Sequence, residues 1–126
     1  MLPTSLLIID PNLHFSRAAA KYLLKFQEVE KVDLAADLDE ACLTISASKP
    51  DALFVDYEYY MSDAGVAALC KKMKQQFPET LIIALTLYTL EPYYDLLSAA
   101  DDVSGIISKQ DFAEGVITLF DFPLTS

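Results

Sequence analysis

Two aspartates, a threonine and a lysine stand out because each directly follows a short apolar run. Asp10 follows Ser5-Leu-Leu-Ile-Ile9, Asp56 follows Ala52-Leu-Phe-Val55, Thr86 follows Leu81-Ile-Ile-Ala-Leu85, and Lys109 follows Gly105-Ile-Ile-Ser108. Carboxylates held a few ångströms apart repel, so a site that keeps both ionised usually holds a cation. Oxygen ligands without His or Cys favour Mg²⁺ or Mn²⁺. Such an ion screens a phosphoryl group as it nears an anionic nucleophile. Asp56 would be that nucleophile, since carboxylates form acyl phosphates. Thr86 can hydrogen-bond one phosphoryl oxygen and Lys109 can neutralise another. The simpler expectation for Asp56 taken alone is a helix cap, because Asp is common at strand-to-helix turns.

These four residues can meet only if the elements deliver them to one place. The apolar runs are short, rich in Ile, Val and Phe, and bounded by turn signals such as Pro11 and Pro50, as expected of buried strands. Val32 to Ala36 alternates and reads as a further short strand nearer an edge of the sheet. Between the strands, apolar residues recur at helical spacing. Phe15, Ala18, Ala19, Tyr22, Leu23 and Phe26 mark a first helix, and Leu38, Ala41, Cys42 and Ile45 a second. Asp37 with Glu40 three residues on predicts a capping box at the start of that second helix. Tyr57, Tyr59 and Tyr60 fall in a predicted loop. A third helix, capped by Ser62 or Asp63, would turn Val66, Leu69, Cys70, Met73 and Phe77 inward. A fourth begins at Pro92 with Tyr93, Leu96, Leu97 and Ala100, and a fifth carries Phe112, Val116, Leu119 and Phe120.

Strand and helix thus alternate five times, the pattern of an α/β fold with one doubly wound parallel sheet and helices on both faces. Right-handed crossovers place all the strand ends on one edge, where open α/β sheets bind ligands. Convergence of four polar residues there is more than helix capping requires.

Composition is consistent with a single domain. At 126 residues and 53% apolar, the chain has the size and the material for one core. Its apolar runs are far shorter than the roughly 20 residues of a membrane span, and the start lacks a basic signal region, so a soluble, cytoplasmic protein is expected. A net charge of −10, from 19 acidic and 9 basic residues, argues against direct nucleic-acid binding. Cys42 and Cys70 lie on apolar stripes and are expected as buried free thiols. His14, the one histidine, reads as a surface residue.

The pieces ending at Asp10, Asp56, Thr86 and Lys109 make the chain similar, over essentially its whole length, to the receiver domain of two-component response regulators. That resemblance implies a five-stranded sheet in the order 2-1-3-4-5, with residues 1–121 as the receiver and 122–126 as a short tail. It implies that a histidine kinase or phosphotransfer protein donates a phosphoryl group to Asp56 with the help of Mg²⁺. Movement of Thr86 and the last strand would then reshape the surface of the fourth helix, fifth strand and fifth helix. That surface would be read by a downstream effector or used for homodimerisation. No enzymatic role beyond the domain's own phosphorylation and dephosphorylation is implied.

The departures are specific. Pro11 stands where the resemblance leads one to expect a second acidic residue, so the expected ligands are Asp10, Asp56 and, as a substitute, Glu58, with weakened Mg²⁺ affinity. Ile106 stands at the aromatic switch position, Leu87 follows the threonine, and the loop after Asp56 carries an insertion. These changes motivate an alternative expectation, an atypical receiver acting as a phosphorylation-independent dimerisation or interaction module through Tyr57, Tyr59, Tyr60, Tyr88, Tyr93 and Tyr94. A flavoprotein of similar topology is disfavoured, because the loop after the first strand is Asp10-Pro-Asn-Leu, whose carboxylate would repel a nucleotide phosphate. After Phe120 there is no length for an effector domain. The chain therefore reads as a stand-alone receiver or one cut from a longer regulator.

Overall fold

The computed structural model describes residues 4–87 and 103–120. Five parallel strands form one sheet: β1 (Ser5–Ile9), β2 (Lys31–Ala35), β3 (Ala52–Asp56), β4 (Leu81–Thr86) and β5 (Gly105–Ser108). Their order is β2-β1-β3-β4-β5, as the resemblance implied. Five helices are described: α1 (Leu13–Leu23), α2 (Leu38–Ser48), α3 (Tyr57–Ser62), α4 (Ala64–Gln76) and α5 (Phe112–Phe120). The predicted helix at Pro92, Tyr88, Tyr93, Tyr94 and the tail 122–126 lie outside the described residues.

The central strands read as unbroken apolar runs because both of their faces are covered. Side chains alternate across the sheet. Leu6, Ile8, Phe54, Ile83, Leu85 and Ile107 therefore meet Ala19, Leu23, Phe112 and Val116 of α1 and α5 on one face. Leu7, Ile9, Leu53, Val55 and Ile82 meet Ala41, Val66, Cys70 and Met73 of α2 and α4 on the other. Phe54 anchors the first layer, with its ring 6.0 Å from that of Phe112 and 6.2 Å from that of Phe120.

The two aspartates that frame β3 have different duties. Asp51 precedes the strand, and its Oδ2 accepts from Thr4 N–H, Thr4 Oγ1 and Ser5 N–H at 3.2, 2.9 and 3.1 Å. It fastens the start of β1 to the start of β3 and lies at the opposite edge from Asp56. Asp51→Ala should lower stability by about 1.5–3 kcal/mol, the usual value of hydrogen bonds to a charged acceptor, as read from the urea midpoint.

Several expectations need correction. Residues 57–62 form a helix rather than a loop, and Asp63, not Ser62, caps α4, with its Oδ1 accepting from Gly65 N–H at 2.8 Å. Cys42 is exposed, while Cys70 is buried as expected. On α2 the inward stripe narrows to Leu38, Ala41 and Ile45, and Cys42 is turned about 100° away from Ala41. Phe77 is 41% exposed because it is the C-cap of α4, where φ −132° takes it off the helical stripe. Ala18, at the margin of the α1 stripe, is also exposed.

Candidate functional site

Parallel pairing sets the positions of the site residues. Ile9 of β1 lies opposite Val55 of β3, so Asp10 and Asp56, the next residues along, leave adjacent strands side by side. Thr86 ends β4 opposite Ser108 of β5, and Lys109 N–H donates to Thr86 O at 2.7 Å. That bond holds the lysine at the end of the sheet and lets its side chain reach across β4.

Lys109 Nζ lies 2.6 Å from Asp10 Oδ2 and 2.8 Å from Asp56 Oδ1. All three side chains are largely withdrawn from solvent, at 8%, 2% and 11% exposure respectively, so this is a buried ion triad rather than a surface pair. The ammonium also sits 4.9 Å from the centroid of the Phe15 ring, a cation–π contact. Phe15 is held edge-on against Phe112 at 5.5 Å.

The remaining carboxylate oxygens are engaged by main-chain donors. Asp10 Oδ1 accepts from Asn12 N–H at 2.9 Å across the exposed Pro11, and Asn12 Oδ1 in turn caps α1 through Phe15 N–H at 3.1 Å. Asp56 Oδ2 accepts from Tyr59 N–H at 3.0 Å and is thereby the N-cap of α3. Asp56 is thus both a cap and a member of a charged cluster, and the two sequence expectations describe its two oxygens.

Burial raises the Asp10 carboxyl above its ordinary pKa, against the opposing pull of the Lys109 hydrogen bond and the Asn12 N–H. For Lys109, burial disfavours the charged form, but the bonds and charges of Asp10 and Asp56 outweigh it and raise the pKa. The lysine stays charged, with both carboxyl groups set against that one cation.

Of the expected site residues, the structure brings Asp10, Asp56 and Lys109 together and places Thr86 buried beside them on β4. Ile106 is half-buried in β5 opposite Ala84. Glu58 is exposed in the first turn of α3. Among the described residues, no three Asp, Glu, His or Cys side chains come together as a metal centre. Asp10 and Asp56 are hard oxygen donors on adjacent strands, which suits Mg²⁺, an ion commonly held by one or two carboxylates and completed by water and phosphate. The pair fits such an ion sparsely, and Lys109 occupies the oxygens that face it.

Sequence reasoning assigned Tyr59 to a possible interaction patch and missed its place beside Asp56. Its hydroxyl accepts from Leu38 N–H at 2.7 Å, at the first turn of α2. Burial raises the phenol above its ordinary pKa.

Solved structures share this architecture. The signal receiver domain of a DNA-binding response regulator from Colwellia psychrerythraea matches with a TM-score of 0.72 and 18% identity, covering 94% of this chain and 98% of that one. A response regulator from Burkholderia pseudomallei, solved with a phosphorylated aspartic acid, calcium ion and citrate, matches with a TM-score of 0.70 and 24% identity, covering 90% of this chain and 64% of that one. The fold they share with this chain is the one seen in the receiver domains of response regulators.

In sequence, the chain is similar to the oxygen regulatory protein NreC of Staphylococcus haemolyticus, 38% identical over 78 residues, 61% of this chain and 36% of that protein. It is also similar to the uncharacterized transcriptional regulatory protein YhcZ of Bacillus subtilis, 36% identical over 84 residues, 66% of this chain and 38% of that protein. The chain therefore spans little more than a third of the length of these relatives. No protein-family model matches it.

Proposed function

We propose that the chain is the phosphoryl-accepting receiver of a two-component system and that Asp56 is the acceptor. The observation that carries this reading is the buried Asp10–Lys109–Asp56 triad at the carboxyl edge of the sheet. One Asp56 oxygen attacks the phosphorus of a phosphohistidine on a kinase or phosphotransfer protein. The new O–P bond forms as the P–N bond breaks, and the electron pair stays on the imidazole nitrogen, which takes up a proton. Lys109 neutralises charge at the phosphoryl oxygens, and the Thr86 hydroxyl donates to one of them. Mg²⁺, held by Asp10 and Asp56, would supply further charge neutralisation at the phosphoryl group. Signalling passes to an effector through the surface that includes β5 and α5, with Ile106 at the switch position. Receiver domains are signalling domains rather than classical enzymes, and a cytoplasmic setting suits a kinase partner. Among the described residues, no helix is long and apolar enough to cross a membrane.

The test is incubation with acetyl phosphate and Mg²⁺, followed by intact-mass measurement. A gain of about 80 Da, one phosphoryl group, is expected, with strongly slowed uptake when the divalent ion is chelated. An unchanged mass after prolonged incubation would remove the proposal.

A further inference from the structure

Asp56 does not meet α3 only at its cap. The residue that donates its N–H to Asp56 Oδ2, at 3.0 Å, is Tyr59. The hydroxyl of that same residue accepts from Leu38 N–H, at 2.7 Å. Leu38 N–H belongs to the first turn of α2, whose amides have no partner within the helix. The other bonds at this helix start are local. Glu40 N–H donates to Asp37 Oδ1 at 2.9 Å, and Ala36 N–H donates to Glu40 Oε2 at 2.7 Å. Tyr59 therefore ties this helix start to the candidate acceptor, through its hydroxyl at one end and its N–H at the other.

The packing makes this link stiff. Tyr59 and Leu38 lie against the same apolar layer as Val66 and Met73. Leu38 is seated so close to α4 that a Cβ at Gly65 would stand 2.5 Å from Leu38 Cδ2. The start of α2 thus has little freedom to absorb a displacement of Tyr59 without moving itself.

We propose that Tyr59 transmits the state of Asp56 to the amino-terminal turn of α2, giving the domain a second signalling face on the β2 side of the sheet. The inference rests on the reading of Asp56 as phosphoryl acceptor. In the free domain, Oδ2 is a charged acceptor for Tyr59 N–H, and charge-assisted bonds of this kind are about twice as strong as neutral ones. Once the carboxylate becomes an acyl phosphate, its charge resides on the phosphoryl oxygens and the remaining carbonyl is a weaker acceptor. The α3 cap loosens, Tyr59 shifts, and Leu38 N–H loses its partner. The surface that this turn displays is acidic, with Asp37, Asp39 and Glu40 all exposed. A basic partner surface is the chemistry that would read its rearrangement.

The experiment is amide NMR of the whole chain with beryllofluoride and Mg²⁺, a mimic of the phosphoryl group, on wild type and Tyr59→Phe. The variant keeps the main-chain N–H that meets Asp56 and removes only the hydroxyl. Thr86 and Lys109 amides report occupancy of the acceptor site independently of α2. In wild type, the Leu38 amide should shift together with those of Thr86 and Lys109. In Tyr59→Phe, Thr86 and Lys109 should still respond while the Leu38 response is lost. Shifts at Thr86 and Lys109 without one at Leu38 in wild type would overturn the coupling and leave the acceptor reading intact. So would an equal Leu38 response in both proteins. No shift at any of the three would overturn the acceptor reading, and the coupling with it.

Discussion

Lys109→Met should lower folding stability by about 3–5 kcal/mol at neutral pH, the typical cost of removing one partner from a buried ion pair, and should abolish phosphoryl uptake. Methionine preserves most of the length but loses the cation–π contact with Phe15 and leaves Asp10 and Asp56 facing each other without their shared cation. Against a total stability of about 5–15 kcal/mol, a loss of that size brings the domain close to unfolding. The companion variant Asp10→Asn with Lys109→Met removes one of the stranded charges. It should recover part of the loss, and a double-mutant cycle reads the coupling.

The pH dependence follows from the two shifted groups. Asp10 has a folded pKa above its unfolded value, so its contribution to stability is fully present below about 3.9 and is lost as pH rises through the raised folded pKa. That direction already includes the opposing pull of Lys109. In Lys109→Met the pull is gone and the Asp10 carboxyl is pushed up further, so acidification from neutral pH should restore more stability to the variant than to wild type and narrow the gap between them. Lys109 has a folded pKa above its own unfolded value, so its contribution is present below about 10.4 and disappears as pH rises through the folded pKa. The wild type should therefore show an alkaline decline that the variant lacks. Urea midpoints at acidic, neutral and alkaline pH give all three comparisons, and a gap of constant size across them would contradict the assignment.

The second large effect is at Asp56 itself. Asp56→Asn and Asp56→Ala should both reduce phosphoryl uptake to background, because neither has a carboxylate oxygen to attack phosphorus. Their stabilities should differ. Asparagine is a good N-cap and its amide oxygen can still accept from Tyr59 N–H, whereas alanine leaves the first turn of α3 uncapped, at a cost of about 0.5–2 kcal/mol. Equal stability of the two variants would show that the Tyr59 N–H bond contributes nothing to the fold.

The sheet was legible because burial on both faces writes a parallel strand as an uninterrupted apolar run, and each such run here ends abruptly at a polar residue. The convergence of Asp10, Asp56 and Lys109 follows from that alternation and from crossover handedness, given the strand order that the resemblance implies. The reach of Lys109 to both carboxylates does not follow, because a four-carbon stem on β5 can end in several places and sequence spacing does not choose among them. Helix α3 was missed for a related reason. None of its residues is buried, so it carries no apolar periodicity. Its one local signal is the cap at Asp56 with Glu58 in the first turn. Glu58, expected as a substitute for the ligand lost at Pro11, stands exposed in the first turn of α3. Cys42 shows the opposite error, an apolar residue assigned to a stripe wider than the surface that covers it. The hydroxyl of Tyr59 finds an amide that is distant in sequence, and no local pattern announces such a bond.

The claim that Asp56 is the phosphoryl acceptor is tested most directly by trapping the modified residue. The chain is incubated with acetyl phosphate and Mg²⁺, reduced with borohydride, which converts an aspartyl phosphate to homoserine, and mapped by peptide mass spectrometry. The account expects homoserine at position 56 and unmodified aspartate at positions 10 and 51. Homoserine at another position, or an intact aspartate at 56 in a chain that has gained a phosphoryl group, would contradict it.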